Sequence, residues 1–485
     1  MCAPVFVAVI TLAVPGFTAS KLKVKAQVLA AWALALAVVA FPILSGFTGG
    51  SNSAHVVILG LTTSFERTLG LERSTYDIGK TASDGYIYTL VAAHAATVEP
   101  EAEPVTLDTF GTVRYDRLGA RLLADLTTHF PSDVLTRALA ATTQVLRYPF
   151  DPVQRREYDL GSVNFDAVPR LKRSAAAVGA VLEWFHGRAV LLTVLVLLAI
   201  AVRDWRMGVL AVLTVMYFCG YSMLQFSRRH TFHLDIVPIG IVVLALDLVM
   251  GWAGHAVRLI RGRGLPGPAA PSWPARARKG AIAVGALAAL AVVPLFAARA
   301  WQQRHVTDLV ERTLAVHWET VETAPETPID TRAPQYAAFL SGWQTAVMLR
   351  VPPPAEPSGD PSKLEVRYLQ VEIGGAACGQ PVVLVAAAYA GSAHTLHREY
   401  TRVFEVPTDP LAVPTLLLMP AFYQHGPTWT RFEGIAIPAD ARPCVGAIRR
   451  AVSTNTVPLP ILTALLTPDW RSRPLYQRLA ADSWK

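Results

Sequence analysis

Arg228, Arg229, His230, His233 and Asp235 fall within eight consecutive positions, in a short polar stretch between two long apolar runs. A guanidinium offers a planar fork of donors suited to phosphate or carboxylate. His230 and His233, three residues apart, share one face if the stretch forms a helical turn, and Asp235 can orient either ring. Three chemistries remain open for this turn. The arginines can anchor on lipid headgroups, the cluster can recognise a lipid-linked phosphate or pyrophosphate, or both histidines can hold a metal. No third ligand at a firm spacing accompanies the histidines. A second constellation holds Asp77, which follows Tyr76, and Asp84, which opens the run Asp84, Gly85, Tyr86, Ile87, Tyr88. An outward-facing aspartate near a membrane can act as a general base or hold a divalent metal against a phosphate. Tyr76, Tyr86 and Tyr88 could stack on sugar faces. The same residues also read as two Asx-type turns with tyrosines packing the loop.

The elements that must position these residues are apolar. Hydrophobic residues make up 52% of the 485-residue chain and charged residues 16%, whereas a soluble domain carries about a quarter charged residues. The apolar residues cluster in runs at 3–19, 27–46, 189–202, 207–225, 236–254 and 281–298. This predicts about six membrane spans, since a helix crosses a bilayer in roughly 20 residues. The first run has no basic residue before Lys21 and so reads as a span rather than a secretory signal. The formal net charge is +8, concentrated in Lys21, Lys23 and Lys25, in Arg203 and Arg206, and in the 255–279 linker from Arg258 to Lys279. These clusters alternate along the chain as the positive-inside rule requires. They are not a nucleic-acid surface, and the linker can touch anionic headgroups. Segments 47–188, 226–235 and everything after 298 then lie outside the cytoplasm. Arg170, Lys172 and Arg173 run against this assignment. Asp247 lies within a span, where an ionisable group is costly; its place four residues before Gly251 suggests an approach to the cytoplasmic interface.

The fold class expected is an α-helical integral membrane protein with an extracytoplasmic helical segment and a C-terminal all-β, sandwich-like domain. Residues 1–46 supply two spans and 47–188 a mainly helical outer segment. In that segment, Tyr115, Leu118, Leu122, Leu123 and Leu126 mark a helix over about 114–128, and Ser132 caps a second that Pro149 stops. Residues 189–298 supply four spans and 299–362 a helix with a Pro-rich linker. Residues 363–485 form the β region, with strands expected at 364–373, 381–390, 399–406, 415–423, 430–437 and 445–452. Cys378 and Cys444 fall in this outer region, where an oxidising compartment permits a disulfide; two separate buried thiols fit equally well. No phosphate-binding loop, dinucleotide fingerprint, nucleophile elbow, zincin motif or CxxC is present.

Several spans, a long first outer segment with Asp77 and Asp84, and a β region over 363–452 together resemble bacterial polytopic envelope-glycan proteins, including the GT-C class of glycosyltransferases. The resemblance implies a multi-pass protein of the bacterial inner membrane that uses a polyprenyl-phosphate sugar at the outer face. Membrane lipid, a polyprenyl-linked saccharide and envelope-assembly proteins would be its partners, and its β domain would bind or position glycan. On that reading Arg228, Arg229 and His233 bind the phosphate, while Asp77, Asp84 and His230 supply acid–base chemistry or hold a divalent metal. The chain departs from the class in having no adjacent acidic pair after its first span and fewer spans. A non-catalytic scaffold whose β domain binds glycan or a periplasmic partner is the other reading. A transporter is a third, weakened by a single intramembrane carboxylate and few broken-helix signals.

Overall fold

A computed structural model describes residues 52–71, 83–150, 169–226, 231–260, 273–324, 326–331, 340, 343–352, 364–390, 401–408, 413–424, 431–453, 456–459 and 462–471. The chain divides into two compact units, residues 1–44 with 135–297, and residues 45–134 with 298–485. The helices are α1 (Ser53–Gly60), α2 (Thr63–Leu69), α3 (Asp84–Val98), α4 (Val113–His129), α5 (Pro131–Arg147), α6 (Pro169–Arg203), α7 (Trp205–Gly220), α8 (Ile236–Ile260) and α9 (Trp273–Leu314). Ten strands follow, β1 (Trp318–Thr320), β2 (Thr327–Ile329), β3 (Ala346–Arg350), β4 (Leu364–Ile373), β5 (Val382–Ala390), β6 (Arg402–Pro407), β7 (Thr415–Gln424), β8 (Arg431–Pro438), β9 (Val445–Ala451) and β10 (Ala464–Leu466).

In the unit built from 45–134 and 298–485, α3 is central. Ser83 caps it by accepting from the Tyr86 N–H at 3.3 Å, and Asp84 places a negative charge in its first turn, where the helix dipole favours one. Every residue from Tyr86 to Ala95 is buried, the signature of a helix covered on all sides. Helix α4 is amphipathic instead. Thr112 caps it, and Tyr115, Leu118, Leu122 and Leu126 turn inward. Gly119 permits α1 to approach, since a Cβ there would lie 3.3 Å from that of Ala54.

All strand pairs are antiparallel, and they form a half-barrel of two five-stranded parts. One runs β1-β9-β4-β7-β10 and the other β2-β3-β8-β5-β6, joined through the pair Tyr423 and Arg431. The six strands expected from alternation are present within a few residues. The short strands β1, β2, β3 and β10 were not expected; three or five residues are too few to show a period. Pairing of β5 with β8 shifts register next to Gly434, whose φ of 146° and close approach to the Leu349 carbonyl exclude a side chain. Strand β5 is buried on both faces: Val383, Val385, Ala387 and Tyr389 join the main core, while Ala386 and Ala388 join a smaller one with Met348 and Val403. The main core also takes Ile87, Leu90 and Val91 from α3, Leu118 and Leu122 from α4, and Leu309 and Val310 from α9. Helical segment and β-rich region therefore share one interior. A disulfide joins Cys378 to Cys444.

Helix α9 is 42 residues long with Pro294 inside it, so the apolar run at 281–298 and the helix expected at the start of 299–362 are one element. Its side chains close the α4–α5 turn. Trp301 donates through Nε1 to the Thr128 carbonyl at 3.0 Å. Gln302 Oε1 accepts from the backbone N–H of Ser132 (2.9 Å) and Asp133 (3.3 Å) and from the Ser132 hydroxyl (2.6 Å). Ser132 is thus not the cap. Helix α5 starts at Pro131, whose fixed φ suits a first turn, and the cap comes from Gln302, 170 residues away in sequence.

In the unit built from 1–44 and 135–297, two segments are long and apolar enough to cross a membrane, Gly179–Arg203 and His233–Gly254, and Met207–Met223 is a shorter apolar helix. The expected count of about six is not reached among the described residues. The runs at 3–19 and 27–46 lie outside them.

Replacing Gln302 by alanine removes one acceptor shared by three donors and should cost about 1–3 kcal/mol, read as a lowered thermal midpoint in detergent. Gln302 Nε2 also donates to Asp133 Oδ1 at 3.0 Å, so Gln302→Glu, which would set two carboxylates together there, should not restore the stability.

Candidate functional site

Of the residues expected to act, Asp77, Arg228, Arg229 and His230 lie outside the described residues. Asp84 and His233 are described, and they belong to different compact units. His233 sits in a 3-10 turn at Phe232–Asp235, just before α8, and its Nε2 is 2.6 Å from the Tyr221 hydroxyl. Tyr86 and Tyr88 are not free to stack on a sugar. Tyr86 packs edge-on against Phe422 and under the Arg402 guanidinium. Tyr88 lies stacked with Tyr115 and donates its hydroxyl to the Val105 carbonyl at 3.0 Å.

Asp84 stands at the start of α3 with its side chain 77% exposed, and behind it lies a buried histidine. His55, on α1, has Nε2 3.2 Å from Asp84 Oδ1 and Nδ1 2.7 Å from the Tyr115 hydroxyl on α4. Phe110 packs edge-on against the His55 ring. The protons on this line can be assigned. Burial, reinforced by Tyr88, Asp116 and Asp84, pushes the Tyr115 phenol far above its ordinary value, so it stays protonated and donates to Nδ1. In a neutral ring that accepts at Nδ1, the proton sits on Nε2, facing the Asp84 carboxylate. The result is an exposed carboxylate with one oxygen against a histidine whose other ring nitrogen meets a tyrosine.

A second pair of the same kind links α3 to α4. Buried His94 lies with Nε2 2.8 Å from Asp125 Oδ2. Its Nδ1 is buried with no hydrogen-bond partner among the described residues. The hydrogen bond from His94 holds the Asp125 carboxyl below its usual range against the opposing effect of burial, with charge on His94, His129 and Arg121 helping. Among the described residues, no group of three or more His, Cys, Asp or Glu side chains is arranged to hold a metal ion.

No family model matches the chain, and no curated protein or solved structure matches it.

The sequence singles out Asp84 but not His55, Tyr115, His94 or Asp125 as polar partners. His55 lies 29 residues from Asp84 and 60 from Tyr115, distances at which no local motif operates. Tyr115 was legible only as one member of an apolar stripe.

Tyr115→Phe leaves a buried imidazole nitrogen without its donor and should cost about 1–3 kcal/mol of stability. For Asp125 the folded value is the lower one, so its pairing stabilises the fold above the unfolded carboxylate range. That contribution is lost as pH falls through the folded value. Because the Asp125 side chain is 41% exposed, solvent screening limits the effect to below about 1 kcal/mol. Thermal melts of Asp125→Asn should fall below wild type at pH 7, and the gap should close as the pH drops through the folded carboxylate value.

Proposed function

We propose that this is a multi-pass membrane protein of the bacterial inner membrane whose outer unit engages a lipid-linked saccharide during envelope polysaccharide assembly. The observation that supports a membrane setting is what the apolar helices leave uncovered. Only 11% of the most apolar window in His233–Gly254 and 28% of that in Gly179–Arg203 are buried. Ile239, Val243, Leu246 and Met250 on α8 stand exposed. A soluble protein rarely presents so continuous an apolar surface to water, whereas hydrocarbon solvates it at no cost. The disulfide at Cys378 and Cys444 fits an oxidising compartment for the β-rich region.

In this reading Asp84 is the reacting end of the outer unit. Its Oδ1 is held by His55, and its exposure leaves the carboxylate able to take a proton from an acceptor hydroxyl. Arg228, Arg229 and His233 would carry the phosphate of the lipid-linked donor. A non-catalytic scaffold is the second reading. It is favoured by the withdrawal of Tyr86 and Tyr88 into the core and by the single interior shared by helices and strands, which makes the outer unit one body rather than a catalytic part with a binding module.

The deciding assay measures saccharide transfer from a polyprenyl-phosphate donor in membranes carrying wild type, Asp84→Asn or Arg229→Ala. The catalytic reading expects transfer to drop by about 10²–10⁴ in Asp84→Asn, with the protein still retained in alkali-washed membranes. Unchanged transfer in both variants, with loss only on deletion of the outer unit, would establish the scaffold instead.

A further inference from the structure

Tyr86 and Tyr88 are taken up by the core, but another ring at the Asp84 site is not. Phe110, in the turn before α4, is 41% exposed. It meets the His55 ring at 84° with centroids 5.3 Å apart, and the Tyr115 ring at 59° and 5.2 Å. Neither neighbour lies parallel to it, so among the described residues no ring stacks on its face. His55 is the common contact. Its Nε2 is 3.2 Å from Asp84 Oδ1 and its ring packs against Phe110, which makes an exposed carboxylate and an exposed phenyl ring neighbours across one buried imidazole.

A lone exposed apolar side chain needs no explanation, but the backbone that carries this one is unusual. Gly111, directly after it, has a φ of 79°. Asn52, at the start of α1, has a φ of 54° and is the one residue other than glycine in the left-handed region among the described residues. A Cβ on Gly111 would lie 3.8 Å from Asn52 Nδ2, so the 110–111 turn rests against the start of the helix that bears His55. Asn52 Oδ1 is buried and has no hydrogen-bond partner among the described residues. Two disfavoured conformations and a costly orphaned acceptor thus meet at the point that sets where Phe110 stands, and such costs concentrate where a ligand is held.

Resting on the reading of Asp84 as the base, we propose that Phe110 is the platform for the acceptor, and that the acceptor is a pyranose. One apolar face of the sugar stacks on the phenyl ring while a hydroxyl at its rim meets the Asp84 carboxylate. The two chemistries match. A pyranose with mostly equatorial hydroxyls carries C–H groups on its faces and O–H groups around its edge. The C–H groups suit the negative face of an aromatic ring. An ionised carboxylate only accepts hydrogen bonds, and with Oδ1 against His55 its other oxygen is left for a hydroxyl. One aromatic wall with a few placed polar groups is the usual composition of a small-molecule site. A quaternary ammonium would also suit a ring and a carboxylate, but it brings no hydroxyl for Asp84 to deprotonate.

The test uses the full chain in nanodiscs and saturation-transfer NMR, with the methyl β-pyranosides of glucose, galactose and N-acetylglucosamine as probes. Wild type should pass saturation most strongly to the axial C–H protons of one sugar face. Deuterating its phenylalanines, which leaves the fold unchanged, should lower that transfer when aromatic protons are irradiated. Phe110→Tyr should bind as wild type does, and Phe110→Leu, which keeps apolar bulk without a π face, should bind about three- to tenfold more weakly. No transfer to any pyranoside, transfer indifferent to phenylalanine deuteration, equal binding by wild type and Phe110→Leu, or binding of tetramethylammonium in place of the sugars would overturn the proposal. Saccharide transfer is scored separately. Pyranoside binding without Asp84-dependent transfer would sink the catalytic reading and leave the sugar subsite, whereas Asp84-dependent transfer unaltered in Phe110→Leu would sink only the subsite.

Discussion

Complete burial of α3 is the constraint on which the unit built from 45–134 and 298–485 depends. A helix with buried residues at every position from Tyr86 to Ala95 cannot exist at a surface, so something must cover it on each side. Helices α1 and α4 supply one cover. The strands supply another, through Phe422 and the Arg402 guanidinium at Tyr86. Because the cover comes from segments far apart in sequence, neither the helical segment nor the β-rich region completes its interior alone. The histidine–aspartate pairs follow from the same constraint. A histidine at the edge of so apolar a core needs a polar partner, and in each pair the partner is an aspartate with its carboxylate toward water.

Periodicity made much of this fold legible. The six longer strands alternate or run apolar between glycine and proline breaks, and α4 shows its stripe at Tyr115, Leu118, Leu122 and Leu126. Composition alone marked the apolar runs at 189–202 and 236–254, which fall within Gly179–Arg203 and His233–Gly254. The failures have physical causes. Helix α3 reads as an Asp-Gly turn followed by tyrosines, because a helix buried on all sides has no polar face to reveal its period. Ser132 has the type and position of a cap, yet the capping oxygen comes from Gln302, a tertiary contact with no local trace. The half-barrel closes through pairs that no single-strand pattern specifies. Asp84 was visible as an acidic residue before an apolar run, but its histidine was not, since folding alone brings α1 to the start of α3.

The two histidine–aspartate pairs differ in a way that matters for chemistry. His55 is satisfied at both nitrogens, by Asp84 and by Tyr115, so its ring is held. His94 is satisfied only at Nε2 among the described residues, and its Asp125 partner is less exposed. The first arrangement presents a rigid carboxylate to whatever approaches from solvent. The second spends its polarity on joining α3 to α4. Asp84 is accordingly the better place to look for chemistry and Asp125 for stability.

The bond between Cys378 and Cys444 encloses 66 residues of separation, and strands β5, β6, β7 and β8 all lie inside that bracket. Any single cut of the chain between the two cysteines therefore yields pieces that stay covalently joined. A protease nick in this stretch would be silent on a non-reducing gel and appear only after a thiol is added. The β-rich region can thus be cleaved once and still travel as one molecule.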